Sequence, residues 1–261
     1  MIWSRKYAGR RLSKENNSMA EIKGVLFDLG STLLEYETIP WEELNIRCFD
    51  AGYSFLVKDG IDVPPRDVFW EKHLEIRQNY RKYAADTLRE WNVVDALNEL
   101  LKSVGINGEK SLAEIFFRAF YQPISRQLSL FADSQHILRE LKQRGFKIGL
   151  VSNTIFPADY HLDELKKYGL LPYFDFTIFS SSFGFRKPHP SIYQHALKLI
   201  DLPPENLVFV GDRYQEDCLG PQKMGIRPIL KYREGRDYPD PLPSDLTVIK
   251  SLSELPAHIG V

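Results

Sequence analysis

Val25-Leu26-Phe27-Asp28-Leu29-Gly30-Ser31-Thr32-Leu33 is the stretch that orients the whole chain. Residues 22–27 are short, aliphatic and aromatic, and are closed by Gly30, which is how a strand buried on both faces of a parallel sheet reads. Asp28 follows directly, on a turn beside the hydroxyl residues Ser31 and Thr32. In an open α/β sheet, side chains just past the strand carboxyl ends meet in one crevice, so Asp28 is a candidate functional group. Two residues on, where a proton-transferring carboxylate would best assist a nucleophile, stands Gly30. The segment is armed for attack and short of an acid.

Outward from this strand the periodicity changes twice. Between 41 and about 127 it is helical: Trp91, Val94, Leu97, Leu101 and Val104 recur at helical spacing before Gly105, and Leu112, Ile115, Phe116, Ala119 and Phe120 repeat the pattern. Pro64-Pro65 separates two further helices, over 41–57 and 66–83, so about four helices are predicted. After Ala132 strands and helices alternate. Ile137, Leu138 and Leu141 share a helix face, Gly145 stops it, and 146–151 is a strand; 174–179, 206–210, 227–231 and 246–250 follow, and 235–244 with its three prolines is a loop. The expected fold class is α/β, a doubly wound parallel sheet with a Rossmann-like core, comprising 21–35 and 128–261, interrupted by a helical domain over 36–127.

With 261 residues, 43% hydrophobic and 13% aromatic, the chain can bury a full core. Its 34 basic and 35 acidic residues leave a net charge of -1, so no global positive field exists to hold nucleic acid, and a charged substrate must be met locally. No apolar run approaches the roughly 20 residues of a membrane span. Cys48 and Cys218 read as small core side chains and fit a reducing, cytoplasmic compartment. Residues 1–18 carry Arg5, Lys6, Arg10, Arg11 and Lys14 against Glu15 alone. This basic arm is expected to lie outside the fold, as a disordered extension or as residues ahead of a natural start at Met19; a transit peptide is the competing reading. Oligomeric state is not legible.

Four strand ends carry the chemistry: Asp28, then Ser152-Asn153, then Arg186-Lys187-Pro188, then Gly211-Asp212 with Asp217. Asp28, Asp212 and Asp217 would repel one another when clustered, which points to a hard divalent cation, magnesium, held by oxygen ligands. Asp28 can then attack phosphorus as a carboxylate nucleophile, with magnesium and Lys187 neutralising charge and Ser152 donating a hydrogen bond. Ser152, Asn153 and Lys187 form the expected substrate-binding set.

On these motifs, Asp28-Leu29-Gly30-Ser31-Thr32-Leu33, Val151-Ser152-Asn153, Arg186-Lys187-Pro188 and Gly211-Asp212 to Asp217-Cys218-Leu219-Gly220, the chain resembles the haloacid dehalogenase-like superfamily over nearly everything after residue 20. The resemblance implies Asp28 as nucleophile, Ser152 and Lys187 as phosphate ligands, Asp212 as a magnesium ligand supported by Asp217, and the insert as a helical cap of the first type. It also implies a phosphatase of small phosphorylated metabolites. The chain departs from it at Gly30, where such phosphatases carry a second Asp as acid and base. The implied backbone-carbonyl contact of that position to magnesium survives in glycine, so slow turnover is expected rather than none. Glu35 or Tyr36 could stand in as acid, though a solvated hinge is the plainer reading, and His189 reads as a loop residue more readily than as an acid. Arg213 stays outside the expected site, and Phe55, Trp70, Tyr80, Tyr83 and Trp91 read mainly as core of the insert. The competing functions are a 2-haloacid dehalogenase, whose halide leaves without protonation, and a catalytically weakened protein that binds a ligand or a partner.

Overall fold

The computed structural model describes residues 20–106 and 110–260; the expected basic arm of 1–18 lies outside the described residues. Six strands form one parallel sheet: β1 (Gly24–Phe27), β4 (Lys147–Ser152), β5 (Phe176–Phe179), β6 (Leu207–Gly211), β7 (Arg227–Lys231) and β8 (Thr247–Ile249), in the spatial order β5-β4-β1-β6-β7-β8. Taken in chain order this is 3-2-1-4-5-6, and the direction of winding reverses between β1 and β6, which opens a crevice at their carboxyl ends.

Strand alternation supplies both faces of the core. Val25, Phe27, Ile148, Leu150, Val208 and Val210 pack on one side with Ile137, Leu138 and Leu141 of α5 (Ser134–Gln143) and Leu165 of α6 (Ala158–Lys167). Leu26, Val151, Ile178 and Phe209 pack on the other with Ile192, Tyr193, Ala196 and Ile200 of α8 (Pro190–Ile200), beyond the short α7 (Ser180–Phe183). A parallel sheet covered on both faces needs this continuous apolar content in its strands.

The insert comprises α1 (Trp41–Lys58), α2 (Arg66–Thr87), α3 (Val93–Ser103) and α4 (Lys110–Gln127). At its root lies a feature the sequence reading does not contain, an antiparallel pair of β2 (Leu34–Glu35) and β3 (Ser129–Leu130). The far side of the insert also meets the core: Glu90 N donates to Gly184 O (3.0 Å), Arg186 N to Leu88 O (2.9 Å) and Val93 N to Ile155 O (2.9 Å). The chain segment carrying Lys187 is thereby tied to the end of α2.

Tyr83, expected in the core of the insert, is instead 50% exposed, while Phe55, Trp70, Tyr80 and Trp91 join the aromatic rings that fill its centre. His73 is among them, with ring centroids 5.3 Å from Phe49, 5.4 Å from Trp70 and 5.9 Å from Phe120, and with Nε2 3.3 Å from Asn45 Oδ1. Burial first, then the charge of Arg77, pushes His73 down to about 4. The unfolded chain therefore takes up this proton near pH ~6.5 while the folded chain waits until about 4. The resulting stability is whole above about pH 6.5 and is lost as pH falls through the folded value, up to about 3 kcal/mol. Urea midpoints measured across that window should fall more steeply for wild type than for His73→Gln; parallel slopes would contradict the assignment.

Candidate active site

Asp28 follows β1 with its backbone N–H on Val210 O of β6 (2.9 Å), so the sheet itself fixes its position. The chain then turns tightly: Leu33 N and Leu34 N both donate to Leu29 O, and Ser31 N donates to Leu34 O (2.7 Å). Ser31 adopts φ of 60°, and its carbonyl accepts from buried Lys231 Nζ (2.9 Å).

Lys187 reaches this turn from the segment after β5. Its side chain is buried, and Nζ donates to Asp28 Oδ1 (2.8 Å) and to Asp217 Oδ1 (2.7 Å), 5.0 Å from the centroid of the Phe209 ring. Burial alone would drive the ammonium toward neutrality, but Asp217 and Asp28 hold its pKa above the ordinary lysine value. Asp217 is pushed upward by burial and by Asp28 and Asp212, against the pull of Lys187. The cation thus stays charged, shared between Asp28 and Asp217. Asp28 keeps its other oxygen nearly free, with only a 3.4 Å contact from Thr32 Oγ1.

The remaining expected residues fall around this centre with differing geometry. Ser152 is buried at the end of β4, lines the same cavity as Asp28, and makes no side-chain hydrogen bond among the described residues. Asn153 lines the same cavity, and its side chain also grips the lysine segment: its Nδ2 donates to Lys187 O (2.9 Å) and its Oδ1 accepts from Lys187 N (2.7 Å). Asp217 likewise has both oxygens engaged, Oδ2 accepting from Arg213 N (2.9 Å). His189 stacks on Phe185 and accepts from Ser191 N at the start of α8, a structural position.

Asp212 is the carboxylate with unused capacity. Arg236 Nε donates to its Oδ2 (2.6 Å), whereas Oδ1 is buried with no hydrogen-bond partner among the described residues. Burial and Asp28 raise its pKa against Arg236 and Arg213. Single oxygens of Asp28, Asp212 and Asp217 lie within 4.8 Å of one another. Three buried carboxylates with one orphaned oxygen are the donor set of a hard, oxygen-seeking divalent cation.

Neither stand-in acid is available. Glu35 is paired with Arg233. Tyr36 lies against Gly30 and lines the cavity, but its hydroxyl donates to Glu164 Oε2 (2.6 Å). Burial, then Glu164 and Tyr121, raise the phenol well above its ordinary pKa. Glu37, held by Arg236 at 2.7 Å, is lowered despite its burial and remains an anion.

Sequence reasoning missed three contributors. Arg236, inside the loop of 235–244, joins Asp212, Ser31 and Glu37. A buried network beside Tyr36 links Tyr121, Glu164, His161 and Thr154, with His161 Nδ1 2.9 Å from Glu164 Oε2 and Nε2 2.7 Å from Thr154 Oγ1. Arg236 reaches partners 24 to 205 residues away, and although His161 and Glu164 are neighbours on α6, Tyr36 and Tyr121 meet Glu164 from 128 and 43 residues away, so neither feature has a sequence signal. Gly211 did have one, standing in the Gly-Asp motif: a Cβ there would meet Asp217 Cγ at 2.4 Å, so glycine lets Asp217 fold back onto Lys187.

A cavity of about 470 Å³ lies between the insert and the carboxyl ends of the strands, with Asp28, Gly30, Ser152 and Lys187 in its wall. A model described as "haloacid dehalogenase-like hydrolase" matches residues 22–225. The glyceraldehyde 3-phosphate phosphatase of Methanothermobacter thermautotrophicus is 26% identical over 238 residues, covering 90% of this chain and 98% of that protein. The protein of the same name from Methanocaldococcus jannaschii is 28% identical, covering 90% and 95%. Among solved structures, a 2-haloacid dehalogenase from Pseudomonas syringae pv. Tomato superposes with a TM-score of 0.67 at 24% identity, covering 92% and 98%, a likeness of fold.

Two glycine substitutions should separate the local requirements. A Cβ at Gly30 meets only Tyr36 Cδ2, at 3.5 Å, an ordinary contact. Gly30→Ala should therefore change unfolding free energy by less than about 0.5 kcal/mol, whereas Gly211→Ala should cost about 1–3 kcal/mol through overpacking against Asp217. Denaturant unfolding of the two variants checks this, and equal losses would show that the Tyr36 ring cannot yield.

Proposed function

The chain belongs to the haloacid dehalogenase-like hydrolases, and from that premise we propose that it is a magnesium-dependent phosphatase of small phosphorylated metabolites, working through a phospho-Asp28 intermediate. The observation that carries this reading is the buried Lys187 held at 2.8 Å from Asp28 and 2.7 Å from Asp217 at the wall of the cavity between insert and core. A permanently charged lysine beside a carboxylate nucleophile suits a dianionic group better than a neutral one. The phosphatase names of relatives that align along most of the chain support the same class.

The chemistry follows from the residues. The freer Asp28 oxygen attacks phosphorus, the bond to the ester oxygen breaks, and the departing alkoxide must acquire a proton. Water then attacks the phosphorus of the aspartyl phosphate, releasing inorganic phosphate and restoring the carboxylate. Ser152 donates to a phosphoryl oxygen, Lys187 offsets its charge, and Asn153 with Asp217 keeps Lys187 in position. Magnesium held by Asp28, Asp212 and the Gly30 carbonyl, with Asp217 in support, would supply the remaining charge neutralisation. The insert of 36–127 serves as the cap that excludes water and selects the substrate. A cytoplasmic location belongs to the same reading, with Cys48 and Cys218 buried as free thiols. Among the described residues no helix is long and apolar enough to cross a membrane.

Gly30 leaves the leaving oxygen without a carboxylic acid, and Glu35, Tyr36 and Glu37 are all committed elsewhere. Good leaving groups should therefore react far faster than alkyl ones. A halide also leaves without a proton, but the orphaned Asp212 oxygen favours metal-assisted phosphoryl transfer over dehalogenation.

Asp28→Asn should abolish phosphate release from p-nitrophenyl phosphate, and removal of magnesium with a chelator should do the same. Unchanged activity in either case, or halide release from a 2-haloacid without metal, would sink this reading. Gly30→Asp should raise turnover of alkyl phosphates by at least about tenfold, within the ~10²–10⁴ that general acid-base catalysis provides, and that of p-nitrophenyl phosphate by much less. Equal gains on both would place the limiting step elsewhere.

A further inference from the structure

The wall of the cavity contributed by α2 carries an unbalanced charge. His73, Ile76, Arg77 and Arg81 line the cavity from one face of that helix. On the core side Lys187 holds Asp28 and Arg186 lies 3.7 Å from Glu90, while Arg213 also lines the cavity. Arg77 and Arg81 have no hydrogen-bond or ion-pair partner among the described residues. Glu42 acts on Arg77 through space without a bond to it, and His73, one turn back, stays neutral near pH 7.

Two guanidinium groups one helical turn apart repel each other, and the half-buried Arg77 is lowered by burial and then by Arg81. Arg81 is exposed, so solvent screens much of this repulsion in the free protein, and a bound anion would offset the rest. Guanidinium groups suit carboxylate and phosphate oxygens through paired N–H donors. Much of the remaining insert wall is apolar or aromatic, including Trp41, Trp91, Leu97 and Phe120, so the arginine pair is its strongest polar feature.

We propose that Arg77 and Arg81 form a second anion subsite, and that the substrate is a phosphoric monoester bearing another anionic group, carboxylate or phosphate, away from the scissile phosphoryl. The proposal rests on the phosphatase reading for the first anion and goes beyond it in naming the second. It assigns substrate selection to α2, an element that holds none of the reacting groups.

The test compares matched pairs of compounds, 3-phosphoglycerate against glycerol 3-phosphate for a carboxylate, and fructose 1,6-bisphosphate against fructose 6-phosphate for a phosphate. In at least one pair the more highly charged member should have a kcat/KM higher by about tenfold or more. In Arg77→Gln/Arg81→Gln that ratio should fall by at least about tenfold, mainly through KM, with part of it restored in Arg77→Lys/Arg81→Lys. Hydrolysis with no preference in either pair, or a preference unchanged in the Gln variant, overturns the subsite and leaves the phosphatase reading intact. If none of these esters is hydrolysed, the same four compounds are titrated into wild-type protein by calorimetry. Tighter binding of a doubly anionic member that is lost in the Gln variant supports the subsite even as the phosphatase reading fails, and equal or absent binding overturns it.

Discussion

A lysine ammonium taken out of water between two carboxylates organises this molecule. Lys187 is 2% exposed, and its Nζ lies 2.8 Å from Asp28 and 2.7 Å from Asp217. Such a group is tolerable only when its partners are held in place, because removing either one leaves an uncompensated buried charge. Much of the surrounding structure meets that demand. Asn153 clamps the lysine backbone on both sides, the Arg213 amide fixes the second Asp217 oxygen, and the bare Cα of Gly211 leaves room for the Asp217 carboxylate. The strand ends of β1, β4 and β6 bring these parts together across more than 180 residues of sequence.

The ion-pair cluster at Lys187 does not depend on a side chain at position 30. Gly30 contributes no side chain to the ion-pair cluster, and the Tyr36 ring borders the space beside it. Tyr36 is in turn held by Glu164, which also accepts from Tyr121 and contacts His161 at 2.9 Å. Polar networks of this kind rigidify when every member is satisfied. The hinge between core and insert is therefore ordered by groups other than Lys187, Asp28 and Asp217.

Arg236 gives the hinge a second tie. Its guanidinium reaches Asp212, Ser31 and both oxygens of Glu37, so one side chain from a proline-rich loop joins the carboxylate cluster to the segment leading into the insert. The backbone bonds between Leu88–Glu90 and Gly184–Arg186, the Val93 amide on Ile155 O and the Tyr121 hydroxyl on Glu164 fasten the insert to the core at further places around the cavity.

Residues 22–27 read as a buried strand, and five later apolar runs read likewise, because a parallel strand covered on both faces must be apolar along its length; all six are in the sheet. The four helices of the insert followed from 3.6-residue periodicity and from Pro64-Pro65 for the same local reason. Asp28, Ser152, Lys187, Asp212 and Asp217 were legible because each stands at or shortly after a strand carboxyl end, where α/β topology gathers side chains. What those side chains touch was not legible. That Asn153 binds the lysine backbone, that the Tyr36 hydroxyl donates a hydrogen bond to Glu164, and that Arg77 and Arg81 line the same cavity as Asp28 depend on distances between distant elements. Periodicity is a local property of the chain and determines which elements form; hydrogen-bond partners and unpaired charges arise only when those elements pack, and so only the tertiary structure decides them.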